Sequence, residues 1–451
     1  MPYTVPTAPA PSAAPSPSLR QELQDRLDTL ARRHRVPGAQ LALDTGADLL
    51  TLHTGTADVT TGAPVTDDTA VPLGSLTKPY TAALVLLLAD DGDLDPDEPA
   101  AAHLPELRQL PGVTIRHLLS HTSGLPTGPD SDTAAATTGA RYLTALCTPR
   151  SLLFAPGTDF SYSNAGYVAA GRLVEAVTGM PWHEAVRALL LEPLGTVPAF
   201  LGDSGADRPV AAGHAVNTAT GRARPARQNL APLEAPAGAL LASARDLREF
   251  GRLLADRSDV LPPAVAKEMR RAESAARPNA LADGWGPGLA LYRQDDRVWC
   301  GHDGNAQGTS CHLRVDPAGG VVVAFTGNAG GATALWRDLA EDLARIAGVR
   351  VPAAPPTGGR GARIALPDAV GTYRNGDVTY RVAPGPDGSS ALSVDGDVGL
   401  PLVCYADLSC DLLDPVTGRL EPGGHFHRDP VTGRIDRVQI SGRTARRTDD
   451  G

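Results

Sequence analysis

Lysine is almost absent from this sequence. Of 41 basic side chains in 451 residues, two are lysine, Lys78 and Lys267, and the rest are arginine. Aromatic residues make up 4% of the chain, so a core must be built mainly from Leu, Val and Ala. No apolar run approaches the roughly 18 residues of a membrane span. The longest, Ala82 to Ala89, reads as a buried helix and no membrane partner is expected. Basic residues are outnumbered, giving a net charge of -10. That balance argues against general phosphate binding, so no nucleic-acid partner is expected. Cysteines number five, with no CxxC, which fits neither a disulfide framework nor a zinc ribbon. Cys300 and Cys311 flank a hairpin and would pair only in an exported protein. Met1 to Ser18 has no basic residue and no apolar h-region but six prolines. It reads as a disordered leader rather than a secretory signal. Reduced thiols and a cytoplasmic location are therefore expected.

What is present is ample for folding. At 42% hydrophobic and 20% charged, the chain is of globular composition and long enough for two or three domains. Ser18 and Gln21 form a capping-box pattern, and Leu19, Leu23, Leu27 and Leu30 recur at helical spacing. Two short β runs follow around Thr45–Asp48. Residues 75 to 255 are mostly helical, and strands return from Gly284. They are followed by a helix with Leu335, Trp336, Leu339, Leu343 and Ile346 on one face. Strands at both ends with helices between predict one α/β (α+β) unit over 19–350, a sheet flanked by a helical subdomain. A Pro/Gly/Ala linker is predicted over 351–363. Short β runs with turns at Asp387-Gly388, Asp395-Gly396, Thr417-Gly418, Thr432-Gly433 and Ser441-Gly442 predict a separate all-β domain over 364–447, barrel or sandwich.

Three constellations carry chemistry. The first is Gly74-Ser75-Leu76-Thr77-Lys78-Pro79, opening the Leu-rich helix. Residues three apart share a helix face, so Ser75 Oγ and Lys78 Nζ can meet. A serine hydroxyl needs an adjacent base, and lysine is one only where burial or cationic neighbours favour its neutral form. With two lysines and 20 serines in the chain, random placement gives far fewer than one such match. The second is Tyr162-Ser163-Asn164, after the Pro156-Gly157 turn. A tyrosine hydroxyl beside a lysine relays protons, and an Asn amide holds both a lysine and a substrate carbonyl. The third is Gly301-His302-Asp303-Gly304-Asn305 at a strand end. There Gly304 would let a substrate backbone lie against the strand edge and His302 would shuttle protons or donate a hydrogen bond. Decoys of the last two occur at Tyr373-Arg374-Asn375 and His53-Thr54-Gly55. His117 and His121 stand at i, i+4, a zinc spacing, but no HExxH or third ligand accompanies them. No metal and no cofactor are expected.

The order Ser-x-x-Lys, Tyr-x-Asn, His-x-Gly resembles the serine β-lactamase and penicillin-binding-protein superfamily. It is most similar to the branch of class C β-lactamases, D,D-peptidases and esterases. Val36-Pro37-Gly38-Ala39, the stretch from Ile115 to Leu125, Pro193-Leu194-Gly195 and Ala237-Gly238 through Asp246-Leu247 also look like that branch. The resemblance spans about residues 19 to 350, and by its order the decoys at 53 and 373 drop out. It implies that Ser75 is the nucleophile of an acyl-enzyme and that Lys78 and Tyr162 form the base system, with the choice between them open. Asn164 would position Lys78 and the substrate amide. The backbone N–H groups of Ser75 and Asn305 would form the oxyanion hole. His302 stands in for the usual lysine of the third motif, which argues against strong β-lactamase activity.

The C-terminal domain resembles the lipocalin-like domain of penicillin-binding-protein-type thioesterases. That resemblance implies a stand-alone enzyme that takes a peptidyl thioester from a carrier protein and joins the peptide head to tail, favouring a D-residue at its acyl end. Of the tail arginines Arg443, Arg446 and Arg447, Arg446 is the expected substrate contact. The alternatives are a serine hydrolase acting on a small peptide or ester (D,D-carboxypeptidase, D-aminopeptidase, esterase or β-lactamase) and a non-catalytic penicillin-binding-like sensor.

Overall fold

The leucine spacing behind the leader forms helix α1 (Pro17–Arg33), with Leu23, Leu27 and Leu30 fully buried. The helix begins at Pro17, so Ser18 lies inside its first turn rather than capping it. The computed structural model describes residues 17–128, 131–203, 205–217, 219–352, 361–385, 389–415 and 418–448. Residues 1–16 of the expected leader, 353–360 of the linker, and the turn positions Asp387, Gly388 and Thr417 lie outside the described residues.

Strands from the two ends of the first domain form one sheet. β1 (Gly38–Asp44) and β2 (Leu49–Asp58) make the expected hairpin, closed by Thr45 N–H donating to the Asp48 carbonyl at 3.0 Å. β3 (Ala63–Pro64) pairs with β2. The late strands are β4 (Gly284–Gly286), β5 (Leu289–Gln294), β6 (Arg297–Gly304), β7 (Ser310–Asp316) and β8 (Val321–Gly327). The order is β3-β2-β1-β8-β7-β6-β5-β4. The ladder that joins the two ends runs antiparallel from Ala39↔Gly327 to Asp44↔Val322. Alternate residues face opposite sides. Leu41, Leu43, Val323 and Phe325 meet α1 and the late helix α5 (Ala332–Ile346). Ala42, Val322 and Ala324 meet α4 (Ala244–Leu254) and the helical insert.

The insert is built around α2 (Thr77–Asp90) and α3 (Asn164–Thr178). Eleven of the fourteen α2 residues are buried, so this helix is surrounded by protein on all sides rather than lying on the surface. Lys78 is one of them.

The C-terminal β runs close into a barrel rather than a sandwich. β9 (Gly371–Asn375), β10 (Val378–Pro384), β11 (Ser390–Val394), β12 (Leu400–Tyr405), β13 (Ser409–Leu413), β14 (Leu420–Arg428), β15 (Ile435–Ile440) and β16 (Arg443–Arg447) follow one another. β16 pairs back onto β9 and completes the ring. Tyr373, Val382, Phe426, Val438 and Ala445 fill the interior. The Ser441-Gly442 turn between β15 and β16 has positive φ at both positions, 46° and 74°, the form that matches strand twist in a two-residue hairpin. It presses on the first domain: a Cβ on Gly442 would stand 2.3 Å from Leu281 Cδ1.

The five cysteines are free and buried. Cys311 stands opposite Gly304, and Cys300 opposite Val315. That offset in register separates the two thiols and leaves no pair.

Candidate active site

Ser75 sits in a single 3-10 turn, Gly74–Leu76, that feeds α2. One turn on, Lys78 is fully buried. Its Nζ donates to Ser75 Oγ at 3.1 Å and to the Ala237 carbonyl at 2.9 Å. Burial lowers the Lys78 pKa to about 7; the charge of Arg443 adds to the shift and that of Glu234 opposes it. A neutral amine is therefore populated near pH 7, which is what a base for the Ser75 proton requires.

Tyr162 closes the other side. Its ring centroid lies 5.0 Å from Lys78 Nζ, and its hydroxyl shares a hydrogen bond with Ser75. Burial raises its pKa above the usual phenol value, with the Ser75 bond and Arg443 pulling the other way. The phenol thus stays protonated at neutral pH, and Lys78 is the side chain able to accept a proton there. Behind Tyr162, His121 packs against its ring with centroids 4.3 Å apart.

His302 is buried, and its Nε2 lies 3.5 Å from the Tyr162 hydroxyl. Its Nδ1 meets the Asp303 carbonyl at 2.5 Å. A carbonyl only accepts, so Nδ1 carries the proton and Nε2 presents a lone pair to Tyr162. Burial and then the Lys78 charge lower the His302 pKa to about 3. The imidazole is therefore neutral and accepts a hydrogen bond, instead of donating one as expected.

Beneath this motif, Asp303 accepts from Arg314 Nη1 at 2.7 Å, Arg314 Nη2 at 3.1 Å and His312 Nδ1 at 2.7 Å. Burial pushes the Asp303 carboxyl up, but Arg314 and His312 outweigh it and hold the group far below the usual carboxylate range. Arg314 is fully buried and also donates to the Pro352 carbonyl at 2.8 Å. Nothing in the local sequence pattern marks Arg314. Only the strand register, which sets His312 opposite Asp303, brings the cluster together.

Gly304 is glycine for a different reason than expected. A Cβ there would stand 2.0 Å from the Leu73 carbonyl oxygen and 2.7 Å from Leu76 N. The strand has to let the Ser75 turn press against it. Pairing of β6 with β5 ends at Gly301↔Ala290, so the edge from His302 to Gly304 runs on beyond its neighbour.

Asn164 is the first residue of α3. It does not bond Lys78, whose two partners are Ser75 and Ala237. Its Oδ1 is buried with no partner among the described residues, and the residue lines a pocket of about 280 Å3 together with Ser75, Asn305 and Gln228. On the other side of Ser75, Tyr162, Trp285, His302, Asn305 and Arg443 enclose about 230 Å3.

Arg443, rather than Arg446, reaches the cleft. It is the first residue of β16, its Nε donates to Thr127 Oγ1 at 2.8 Å, and its guanidinium lies 5.3 Å from the Tyr162 ring centroid. Arg446 is three residues along the strand, roughly 10 Å further on at the rise of an extended chain. It pairs in register with Arg374 and Arg437 and donates to the Leu152 carbonyl at 3.3 Å. Arg447 is held by the carbonyls of Asp368 and Val370 at the barrel seam.

The decoys have structural work. Asn375 is fully buried; its Oδ1 accepts from Thr127 N at 2.7 Å and its Nδ2 donates to the Thr444 carbonyl at 2.9 Å. It fastens the barrel to the loop that Arg443 also grips. His53 pairs with Asp67 at the surface. His121 lies beyond the short helix that holds His117 (Ile115–Leu119) and has positive φ, so helical spacing does not apply. Its Nδ1 accepts from Ser163 N at 3.0 Å.

Comparison with known proteins agrees with this fold. Residues 20–347 match the family model described as Beta-lactamase. Penicillin-binding protein 4 of Amycolatopsis lactamdurans is 36% identical over 78% of this chain and 96% of its own length. The crystal structure of SurE superposes with a TM-score of 0.84 at 37% identity, covering 96% of this chain and 99% of that one. The structure of SurE with D-Leu gives 0.82 at 36% identity, covering 96% and 100%.

Proposed function

This chain belongs to the beta-lactamase family of serine acyl-enzymes, and on that premise we propose that it is a stand-alone thioesterase that releases and cyclises a nonribosomal peptide. The observation that carries the reading is the placement of Arg443. The barrel sends this arginine into the pocket of the nucleophile, so the site is built from both domains. The likeness to SurE also runs through both domains, and the relative solved with D-Leu fits a D-configured acyl residue.

The chemistry follows from the side chains in place. Neutral Lys78 takes the Ser75 proton as Oγ attacks the thioester carbonyl. The C–S bond breaks, and the thiolate leaves with the proton returned from Lys78. The peptide's own α-amine then attacks the Ser75 ester, losing a proton to Lys78. The C–O bond breaks, and Ser75 regains its proton from the lysine. Tyr162, between Ser75 and His302 Nε2, orients the hydroxyl without itself ionising. The N–H groups of Ser75 and Asn305 are the proposed oxyanion donors, a contribution of roughly 3 kcal/mol per donor in comparable sites. Arg443 is the proposed contact for a substrate carbonyl. No cofactor or metal enters this scheme.

With water as acceptor the same acyl-enzyme is a hydrolase, the reading favoured by the likeness to a penicillin-binding protein. Mass spectrometry on a linear peptidyl thioester with a D-residue at its acyl end separates the two. A cyclic product lighter than the acid by one water supports the cyclase, and free acid alone supports the hydrolase. Turnover that survives Ser75→Ala would overturn both.

A further inference from the structure

A cavity of about 680 Å3, more than twice the volume of either pocket at Ser75, adjoins the cleft. Leu201, Gln228 and Leu230 line both this cavity and the pocket on the Asn164 side of Ser75. Leu230 lies over Gly238, close enough that a Cβ there would touch its two δ-carbons at 3.4 and 3.6 Å. With Leu201 and Gln228 it stands where the two spaces adjoin.

The cavity wall is mostly apolar. Trp182 and Phe200 meet edge-on, with ring centroids 5.9 Å apart. The indole N–H of Trp182 already donates to Thr81 Oγ1 at 3.0 Å, so only its hydrocarbon face is offered. Leu201 N donates to the Ala239 carbonyl at 2.8 Å, fixing the backbone on that side. The charged lining residues Arg187 and Asp203 are exposed and belong to its mouth. A concave, mostly apolar space of this size lies within the range of ligand pockets, roughly 300–1,000 Å3.

We propose that this cavity is a remote recognition pocket for one bulky apolar side chain of the peptide, upstream of the residue acylated on Ser75. The inference rests on the peptidyl acyl-enzyme reading above and adds to it a second point of sequence selection. The acyl residue occupies the cleft, the chain passes Leu230, and an upstream Leu, Phe or similar side chain fills the space against Trp182 and Phe200. A charged side chain carried past the mouth residues Arg187 and Asp203 loses water against Trp182 and Phe200; an apolar one gains by leaving water. Two anchors also hold a flexible peptide in fewer shapes, which lowers the entropy of bringing its far end back to the ester.

The test separates binding from turnover. Enzyme carrying Ser75→Ala, which cannot be acylated, is titrated calorimetrically with linear peptide acids ending in a D-residue. Upstream positions are changed one at a time between Phe, Leu and Asp. Each series is repeated with Ala235→Trp added. Ala235 lines the cavity and neither pocket at Ser75, and Ala235→Leu is the milder filling change if the tryptophan variant does not fold. At one position the apolar peptides should bind about tenfold tighter than the Asp peptide, and filling the cavity should remove that preference. Equal affinities at every position, or a preference that survives filling to within twofold, would overturn the proposal. If the unmodified enzyme yields only free acid from a peptidyl thioester, the cyclase reading falls, while these affinities still decide the cavity's role.

Discussion

Lys78 Nζ stands 3.1 Å from Ser75 Oγ, with no solvent exposure of the lysine. The amine has two acceptors, Ser75 Oγ and the Ala237 carbonyl, and no carboxylate among the acceptors it bonds. Glu234 acts on it only through its field.

Lys78→Arg should therefore keep the charge and lose the acylation. A guanidinium does not deprotonate in proteins, so the base disappears. The acylation rate should fall about a thousandfold, within the usual range for a lost general base. Time-resolved intact mass after mixing with an activated ester measures it. Lys267→Arg, on the exposed face of a short helix, should leave the rate unchanged.

The pH profile of acylation should rise with a limb near pH 7 and then level, because the proposed mechanism draws on neutral Lys78, whose pKa is lowered to about 7. No limb is expected near pH 6.5 from His302, which is already neutral there. Arg443 lowers the lysine pKa, so Arg443→Ala should move the limb to higher pH. Glu234 raises it, so Glu234→Gln should move the limb to lower pH. Shifts in the same direction would refute this account of the field. The stability sign follows as well. The folded pKa lies below the unfolded value, so the unfolded chain binds more protons between about pH 7 and 10.5, and stability rises with pH across that window.

Gly304→Ala should reduce activity by about a hundredfold or more. Its Cβ would meet the Leu73 carbonyl and Leu76 N, backbone atoms that cannot rotate away, and would push the Ser75 turn off the strand. Overpacking of this kind also costs about 1–3 kcal/mol. Urea unfolding beside acylation kinetics reads both effects.

Asp303→Asn should destabilise the fold by about 1–3 kcal/mol, the cost of leaving buried donors without their acceptor, because only the Arg314 side of the pair is fully buried and Asp303 is partly exposed. It strips the counter-charge from a fully buried Arg314. Removing Arg314 as well, with Arg314→Leu on the Asp303→Asn background, should recover part of that loss; denaturant midpoints decide it.

The chemistry of the first motif was legible because it is local. Ser75 and Lys78 are three residues apart, across the 3-10 turn that feeds α2, and that local winding brings their side chains together. The order of the later motifs was legible for a related reason. Each is a short pattern on one element, and the helix start, turn and strand end that carry them can be read from punctuation and periodicity. The barrel was legible only as a set of short strands, since barrel and sandwich share the same alternation until the last strand finds the first.

Contacts made across the chain were hidden. The sequence placed three arginines in the last strand, and the expected contact among them, Arg446, lies outside the cleft that Arg443 lines. Gly304 was read as an opening for substrate, whereas its missing side chain makes room for the turn of the nucleophile. Arg314 carried no signal at all.

The sequence by itself determined the family and brought Ser75 and Lys78 forward as candidate nucleophile and base, with Tyr162 still open as the alternative base. A serine and one of only two lysines, set at helical spacing, leave little freedom in what they form. The tertiary structure decided the charge states and the walls of the site. Whether Lys78 is neutral depends on how completely α2 is enclosed and on an arginine 365 positions away, brought near by the Ser441-Gly442 hairpin. Burial and field depend on distance in space, and the order of residues along a chain fixes that distance only after it has folded.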